Sequence, residues 1–272
     1  MTTQARPQLA QPLHPKAPGA SGPALAVVLS GTFMVVLDFF IVNVALPSMQ
    51  SGLHASSTAI QWVVAGYALT TAVLLITAGR LGDRYGRRRM FSVGLALFTA
   101  ASLLCGVAPN AGELVLARLL QGAGGALLMP NVLAIINVSY DGLQRVRALS
   151  LYGLTMGIAA AGGQLLGGAL IALDPAGAGW RACFLVNVPV GLVALVTVRR
   201  VVPESRDLAA HTLDLGGAVL MTVALTAVVL PLVQGAAAGW PAWTWVSLAL
   251  APAFVAAFAS SSATAPASGS RA

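Results

Sequence analysis

Two ionisable residues interrupt long apolar stretches of the sequence. Asp38 lies within the apolar residues 24–46, and Arg118 lies within residues 114–138. An ionisable group inside a bilayer costs several kcal/mol, so such a residue usually has a functional reason to be there. Burial favours the neutral form of a carboxyl group, so Asp38 is a candidate to exchange a proton near neutral pH. The alternative is a structural carboxylate paired with a neighbouring helix.

Arg118 does not lose its proton in practice. Counting about 1.5 Å of helix rise per residue places Arg118 roughly 6 Å from the start of its stretch and Asp38 roughly 12 Å from the end of its own. Both residues are then expected in the outer half of the membrane. A fixed cation near Asp38 would favour the ionised carboxylate, so separating the two would gate protonation. A simple structural ion pair remains the alternative.

The loop of residues 79–89 combines spaced glycines with one acid and several arginines. Glycines allow a tight reversal and a close approach of helix ends, while the acid can accept from backbone N–H groups or from an arginine at the start of the next helix. A generic basic loop would explain the arginines but not the glycines. The pattern predicts a cytoplasmic gate formed by Gly79, Gly82, Asp83, Arg84, Gly86, Arg87 and Arg88.

Small residues crowd the apolar stretch 148–173. Small residues four apart let helices approach closely in lipid, where packing drives association. The predicted packing residues are Gly153, Gly157, Gly163, Gly167 and Gly168, with the amide of Gln164 expected against a partner helix or a wet cavity. Asn43, Gln121 and Asn131 are further candidates to line a cavity. The sequence contains no metal-ligand cluster, no nucleophile with a base and no phosphate loop, which argues against an enzyme.

These residues require a membrane-spanning scaffold to position them. Hydrophobic residues make up 57% of the chain and charged residues 8%, with a mean hydropathy of +0.83, far from soluble globular domains. The net charge of +7 is explained by membrane topology and attraction to anionic lipid headgroups rather than by nucleic acid. The composition predicts an all-α, polytopic membrane helix bundle.

Eight stretches are long enough, or nearly so, to cross a bilayer, for which about 20 residues are needed. A six-helix unit is predicted over 24–200 and two additional spans, with their linker, over 201–259; because the sixth and eighth stretches are short, seven spans are also consistent. Residues 1–23 and 260–272 are predicted to be disordered, since their compositions cannot bury enough apolar surface. The stretches are 24–46, 59–78, 90–108, 114–138, 148–173, 182–198, 215–233 and 243–259.

The distribution of Lys and Arg predicts the orientation. Basic residues precede the first stretch and occupy the even-numbered connections, whereas Arg181 is the one basic residue in the alternate connections. This bias predicts a multi-pass inner-membrane protein with a cytoplasmic N-terminus. The tryptophans fall at the opposite helix ends, as expected for an interfacial belt. A disulfide between Cys105 and Cys183 is possible, but small apolar residues in packed helices fit better.

These motifs resemble those of the major facilitator superfamily. The loop 79–89 is similar to its signature GxLxDrxGrrr, the Arg118 segment to RxxqGxgga, and residues 153–168 to the antiporter motif of its fifth span. Residues 37–47 are similar to the LDxxIVNVALP element of the fourteen-span drug:proton antiporters, and residues 180–191 to that subfamily's entry to span six. The order and joint presence of these motifs point to that subfamily.

The resemblance implies exchange of protons for a drug-like, amphipathic molecule. Asp38 would carry the proton and Arg118 would be its charge partner, with the proton gradient as energy source and no cofactor. Asp83, Arg84 and Gly86 would stabilise the gate. Where the antiporter motif has Gly-Pro, this chain has Gly163 and Gln164.

The length departs further from the family, which is built from two six-helix halves. Transport would then need a homodimer or a complementary half. The alternatives are a truncated, inactive product and a membrane subunit that acts with another protein.

Overall fold

The computed structural model describes residues 22–207, 215–235 and 238–264, and all regular secondary structure in these ranges is helical. The predicted all-α bundle is therefore confirmed. The helices are α1 (Gly22–Gly52), α2 (Ser57–Tyr85), α3 (Arg87–Val107), α4 (Ala111–Ser139), α5 (Gly142–Leu173), α6 (Ala182–Leu185), α7 (Asn187–Val201), α8 (Leu215–Gln234) and α9 (Ala242–Thr264).

Within the described residues, six helical segments are long and apolar enough to span a membrane. Five are α1 to α5, and the sixth runs over Gly179–Val201 and includes α6 and α7. Two shorter apolar stretches follow, Val219–Gln234 in α8 and Ala242–Phe254 in α9. The chain is therefore a multi-pass membrane protein.

The predicted terminal segments are only partly described. Residues 1–21 and 265–272 lie outside the described residues. Helix α9 continues to Thr264, five residues into the tail for which disorder was predicted. The Ser and Ala residues there contain neither Gly nor Pro to end the helix.

Helix α4 lies between α2 and α3 because its glycines remove side chains from both contacts. A Cβ atom at Gly122 would lie 2.6 Å from the carbonyl oxygen of Tyr67 in α2. A Cβ atom at Gly124 would lie 2.6 Å from the backbone nitrogen of Phe98 in α3. Neither approach is compatible with a larger residue, so these glycines set the position of α4.

Helix α5 packs against α1 through two glycines. A Cβ atom at Gly163 would lie 2.9 Å from the Leu37 carbonyl oxygen, and one at Gly167 would lie 3.1 Å from the Ile41 carbonyl oxygen. The contact spans the turns of α1 on either side of Asp38. Most of the remaining surface of α5 is exposed.

The core divides into two clusters along the bundle. One cluster surrounds Phe91, Phe98 and Leu128 near the start of α1, and the other surrounds Ile41 and Phe184 near its end. Asp38 lies on α1 between the residues that α1 contributes to each cluster. The polar site is therefore enclosed by apolar packing on both sides.

Candidate functional site

Asp38 and Arg118 form a buried ion pair. The Nη1 atom of Arg118 donates to Oδ2 of Asp38 at 2.5 Å. The exposed fractions of the two residues are 0% and 1%. The structure thus brings together the two residues that sequence reasoning selected, although they are 80 positions apart.

The other oxygen of Asp38 is also occupied by donors. Gln121 Nε2 donates to Oδ1 at 2.8 Å, and Asn187 Nδ2 donates to the same atom at 3.1 Å. Both amides are buried. The Asp38 carboxylate therefore accepts hydrogen bonds from three side chains, Arg118, Gln121 and Asn187.

Arg118 is held by further contacts from three helices. Its Nε donates to the Val63 carbonyl oxygen at 3.0 Å, and its Nη1 donates to Gln121 Oε1 at 2.7 Å. The guanidinium carbon lies 4.1 Å from the centre of the Tyr67 ring and 5.7 Å from that of Phe184. A buried guanidinium loses its hydrogen bonds to water, and these acceptor oxygens and aromatic rings replace them.

Ser102 joins the two amides to the sixth span. Its hydroxyl donates to the Phe184 carbonyl oxygen at 2.9 Å. It accepts from Gln121 Nε2 and from Asn187 Nδ2, each at 3.2 Å. The hydroxyl therefore orients both amides toward Asp38.

The sixth span brings Asn187 to the site. Helix α6 ends at Leu185 and α7 begins at Asn187, and Val186 between them keeps helical dihedral angles, with φ −60° and ψ −28°. Pro189 has no N–H to donate to the carbonyl of Leu185, and its ring crowds that carbonyl. The Phe184 carbonyl and the Asn187 amide both contact the Ser102 hydroxyl.

The charge arrangement determines what the site can do. Both oxygens of Asp38 are hydrogen-bonded and the residue has no exposed surface. Arg118 is the one charged donor to this carboxylate among the described residues, and its movement would remove the strongest contact of Asp38. Asn187 Oδ1 and Tyr67 Oη are buried without a hydrogen-bond partner among the described residues, so polar groups remain to serve a rearranged site.

Residues 79–89, for which a gate-forming loop was predicted, are helical except at Gly86, which joins α2 to α3. Asp83 Oδ1 accepts from Arg87 Nε at 3.0 Å and from Arg87 Nη2 at 2.7 Å. Gly86 has a φ of 109°, a conformation that favours glycine. Arg84 is exposed, with its guanidinium carbon 5.6 Å from the centre of the Tyr85 ring.

Helix α4 packs on the last glycines of α2. Pro130 lies beside Gly79, and a Cβ atom at Gly79 would be 3.6 Å from it. The Asn131 carboxamide lies directly on Gly82, where a Cβ atom would overlap it. Asn131 is therefore buried against α2 in this structure, and its assignment to a cavity stays a prediction.

The remaining predicted residues divide by exposure. Asn43 is exposed and donates to the Phe39 carbonyl oxygen at 2.6 Å, and Gln164 is exposed as well. Gln121, predicted to line a cavity, is instead buried in the ion-pair network. A Cβ atom would meet nothing within 4 Å at Gly153, Gly157 or Gly168. Within the described residues, only Gly163 and Gly167 of the fifth-span glycines contact another helix.

Both cysteines are free and buried. Cys105 Sγ donates weakly to Gln121 Oε1 at 3.5 Å.

Trp180 has an exposed fraction of 4%, so it packs inside the bundle rather than in an interfacial belt. No group of three potential metal ligands occurs in the described residues.

Sequence reasoning missed three residues of the site and its gate. Asn187 and Ser102 are uncharged polar residues in apolar stretches, and that signal was available. Glu204, whose carboxylate contacts Arg88 and Arg89, lies outside the spans. An acidic residue is common in such a polar segment and does not by itself indicate a functional role.

Residues 28–217 match the family model of the Major Facilitator Superfamily. The chain is 42% identical over 223 residues to the probable actinorhodin transporter of Streptomyces coelicolor, covering 82% of this chain and 39% of that protein. It is 37% identical over 252 residues to the tetracenomycin C resistance and export protein of Streptomyces glaucescens, covering 91% and 45%. It is 44% identical over 218 residues to the puromycin resistance protein of Streptomyces alboniger, covering 79% and 42%. The chain thus spans less than half the length of these relatives.

Solved structures share the fold. A bacterial homologue of the human lysosomal transporter Spinster has a TM-score of 0.59 at 21% identity, over 86% of this chain and 58% of that one. A peptide transporter bound to sulfate has a TM-score of 0.58 at 19% identity, over 86% and 51%. The family match covers more than half of the sequence, so the chain belongs to the Major Facilitator Superfamily.

Proposed function

We propose that the chain takes part in proton-coupled export of antibiotic-like small molecules across the cell membrane. The observation that carries the proposal is the buried pair of Asp38 and Arg118, with further hydrogen bonds from Gln121 and Asn187, at mid-bundle in a transporter fold. The names of the relatives, which refer to export of or resistance to antibiotics, support the substrate class. The proton gradient supplies the energy, and no cofactor is involved.

In this mechanism Asp38 is the proton carrier. While Arg118 contacts Asp38, the carboxylate is paired and closed to water. When α4 shifts relative to α1, Arg118 leaves and the carboxylate becomes accessible to a proton. Proton binding and helix movement are coupled because Arg118 and the proton compete for the same carboxylate.

Alternating access requires a second body. Transporters of this architecture bind substrate between two halves that rock about a central site. The chain overlaps about half of the peptide transporter, so we propose that it works with a complementary half or with a second copy of itself. Arg84, Arg145 and Arg199 are exposed at one end of the bundle, which favours a cytoplasmic N-terminus.

The experiment compares drug efflux from cells that express the chain alone or with a complementary half. The variants are Asp38→Asn and the double variant Asp38→Asn with Arg118→Met, which leaves no unpaired buried charge. Both variants are expected to lose proton-dependent efflux, and Glu113→Gln, at an exposed position, should keep it. Proton-dependent efflux by the folded double variant would reject Asp38 as the carrier, and no efflux from either wild-type arrangement would reject transport.

A further inference from the structure

The start of α3 carries three cations at the end of the helix that favours anions. Arg87, Arg88 and Arg89 fill the first turn, which contains no acid, and the N-cap residue Gly86 has no side chain to accept from the free N–H groups. The N-terminus of a helix has a positive partial charge and unpaired N–H groups. Neither the first turn of α3 nor its N-cap residue therefore supplies an acceptor for the unpaired N–H groups or an anion for the positive partial charge.

Glu204, from the segment after the sixth span, supplies the missing anion. Its Oε1 accepts from the backbone N–H of Arg88 at 3.0 Å. Its Oε2 lies 3.5 Å from Arg88 Nε and 3.9 Å from Arg89 Nε. A Cβ atom at Gly86 would be 2.7 Å from Glu204 Oε1, so the carboxylate fits only because that position is glycine.

Backbone hydrogen bonds fix the same segment to both sides of the loop. The N–H of Arg87 donates to the Ser205 carbonyl oxygen at 2.9 Å, and the N–H of Asp207 donates to the Asp83 carbonyl oxygen at 2.9 Å. Arg88 Nη1 also donates to the Val202 carbonyl oxygen at 3.2 Å. Residues 202–207 thus contact the end of α2 and the start of α3 at once.

These contacts divide the arginines between two acids. Arg88 and Arg89 face Glu204, whereas Arg87 turns to Asp83, with Nη2 and Oδ1 2.7 Å apart. Without Glu204, three cations would compete for Asp83 at the end of a helix that repels them. Glu204 therefore occupies the two arginines that do not contact Asp83.

We infer that Glu204 is a positioning residue of the cytoplasmic gate, which completes the start of α3 and directs Arg87 to Asp83. The inference rests on the proposed function in treating the α2–α3 loop as a gate. The same contacts tie the end of the sixth span to that loop, so a displacement of residues 202–207 changes the ion pair at Asp83.

Amide hydrogen exchange of the full chain in lipid nanodiscs tests this inference without requiring transport. Four proteins are compared: wild type, Glu204→Gln, Asp83→Asn and the double variant. Glu204→Gln keeps the shape of the side chain and an oxygen that can accept from the Arg88 N–H but loses its charge. We expect about threefold faster exchange of the Arg87–Arg89 amides, the scale of a lost charge interaction at a helix start. Glu204→Asp should restore part of the protection.

Coupling to Asp83 separates a positioning role from a local cap. If Glu204 directs Arg87, Asp83→Asn accelerates exchange in the wild-type background by at least threefold more than in the Glu204→Gln background. Equal effects in the two backgrounds, or unchanged exchange in Glu204→Gln, would overturn the inference. Glu113→Gln, which alters the start of α4 beside Asn110, should leave the α3 amides unchanged. Loss of transport with the coupling intact would count against the proposed function alone.

Discussion

The carboxamide of Asn131 in α4 rests directly on Gly82 in α2, one residue before the gate residue Asp83. Asn131 is buried, and its Nδ2 donates to the Leu127 carbonyl oxygen at 2.8 Å. Helix α4 also carries Arg118 and Gln121 of the ion-pair site. One helix therefore contacts both Asp38 and the end of α2 beside Asp83, so a shift of α4 is expected to act on both.

Gly82→Ala should destabilise the chain, because the added methyl group overlaps the Asn131 side chain. Overpacking of this kind costs roughly 1–3 kcal/mol. Thermal unfolding of the purified chain in detergent should show the loss, and Asn131→Ala in the same chain should recover most of it. Equal losses with and without Asn131→Ala would show that the clash does not involve Asn131.

Gly153→Ala is the matched control for this substitution. Gly153 also lies within a helix, but a Cβ atom there meets nothing within 4 Å. Alanine should then stabilise the helix by about 0.5–1 kcal/mol. A destabilised Gly153→Ala chain would show that glycine is needed at that position for a reason outside the described contacts.

Arg118→Met should be among the most destabilising single substitutions. It leaves Asp38 buried without its cation, and breaking a buried ion pair by removing one partner costs about 3–5 kcal/mol. Adding Asp38→Asn removes the orphaned charge, so the double variant should unfold at a higher temperature than Arg118→Met alone. If the two substitutions have additive effects, the pair contributes nothing as a unit.

Gly157→Leu should preserve or raise the stability of the isolated chain, whereas Gly163→Leu should lower it. Gly157 meets no neighbour, but a Cβ atom at Gly163 would lie 2.9 Å from Phe40 Cβ. Thermal unfolding of the two variants measures this difference. Since the open face of α5 is where we expect a second transporter body to pack, Gly157→Leu should also reduce co-purification of a complementary half or a second, differently tagged copy. Unchanged co-purification would exclude this part of α5 from the interface.

Local chemistry predicted the spans and part of the site. Hydropathy depends only on neighbours in sequence, and the cost of burying a charge selected Asp38 and Arg118 regardless of fold. Their contact was not predictable, because it depends on how α1 and α4 pack. The faces of Asn43 and Asn131 were also not predictable, since these helices are apolar on every side and periodicity does not distinguish lipid from protein. Glu204 contacts α3 across 116 positions of sequence, and no short motif around Glu204 indicates this contact.

Pro189→Ala should raise or preserve stability while impairing transport, if the missing hydrogen bond at the Leu185 carbonyl serves the proton site. Alanine restores the N–H that can donate to this carbonyl, and relief of a proline within a helix is worth up to about 3 kcal/mol. Because Val186 already has helical dihedral angles, we expect a small shift of the Phe184 carbonyl relative to Ser102 and of Asn187 relative to Asp38. Each lost hydrogen bond costs only about 1 kcal/mol.

Amide exchange over residues 185–190 should slow, while proton-dependent efflux of the assembled protein should fall about tenfold or more, the equivalent of roughly 1.4 kcal/mol in the barrier. A variant with slower exchange and undiminished efflux would show that the missing hydrogen bond is dispensable for coupling. A strongly destabilised variant would contradict the expected gain from removing the proline.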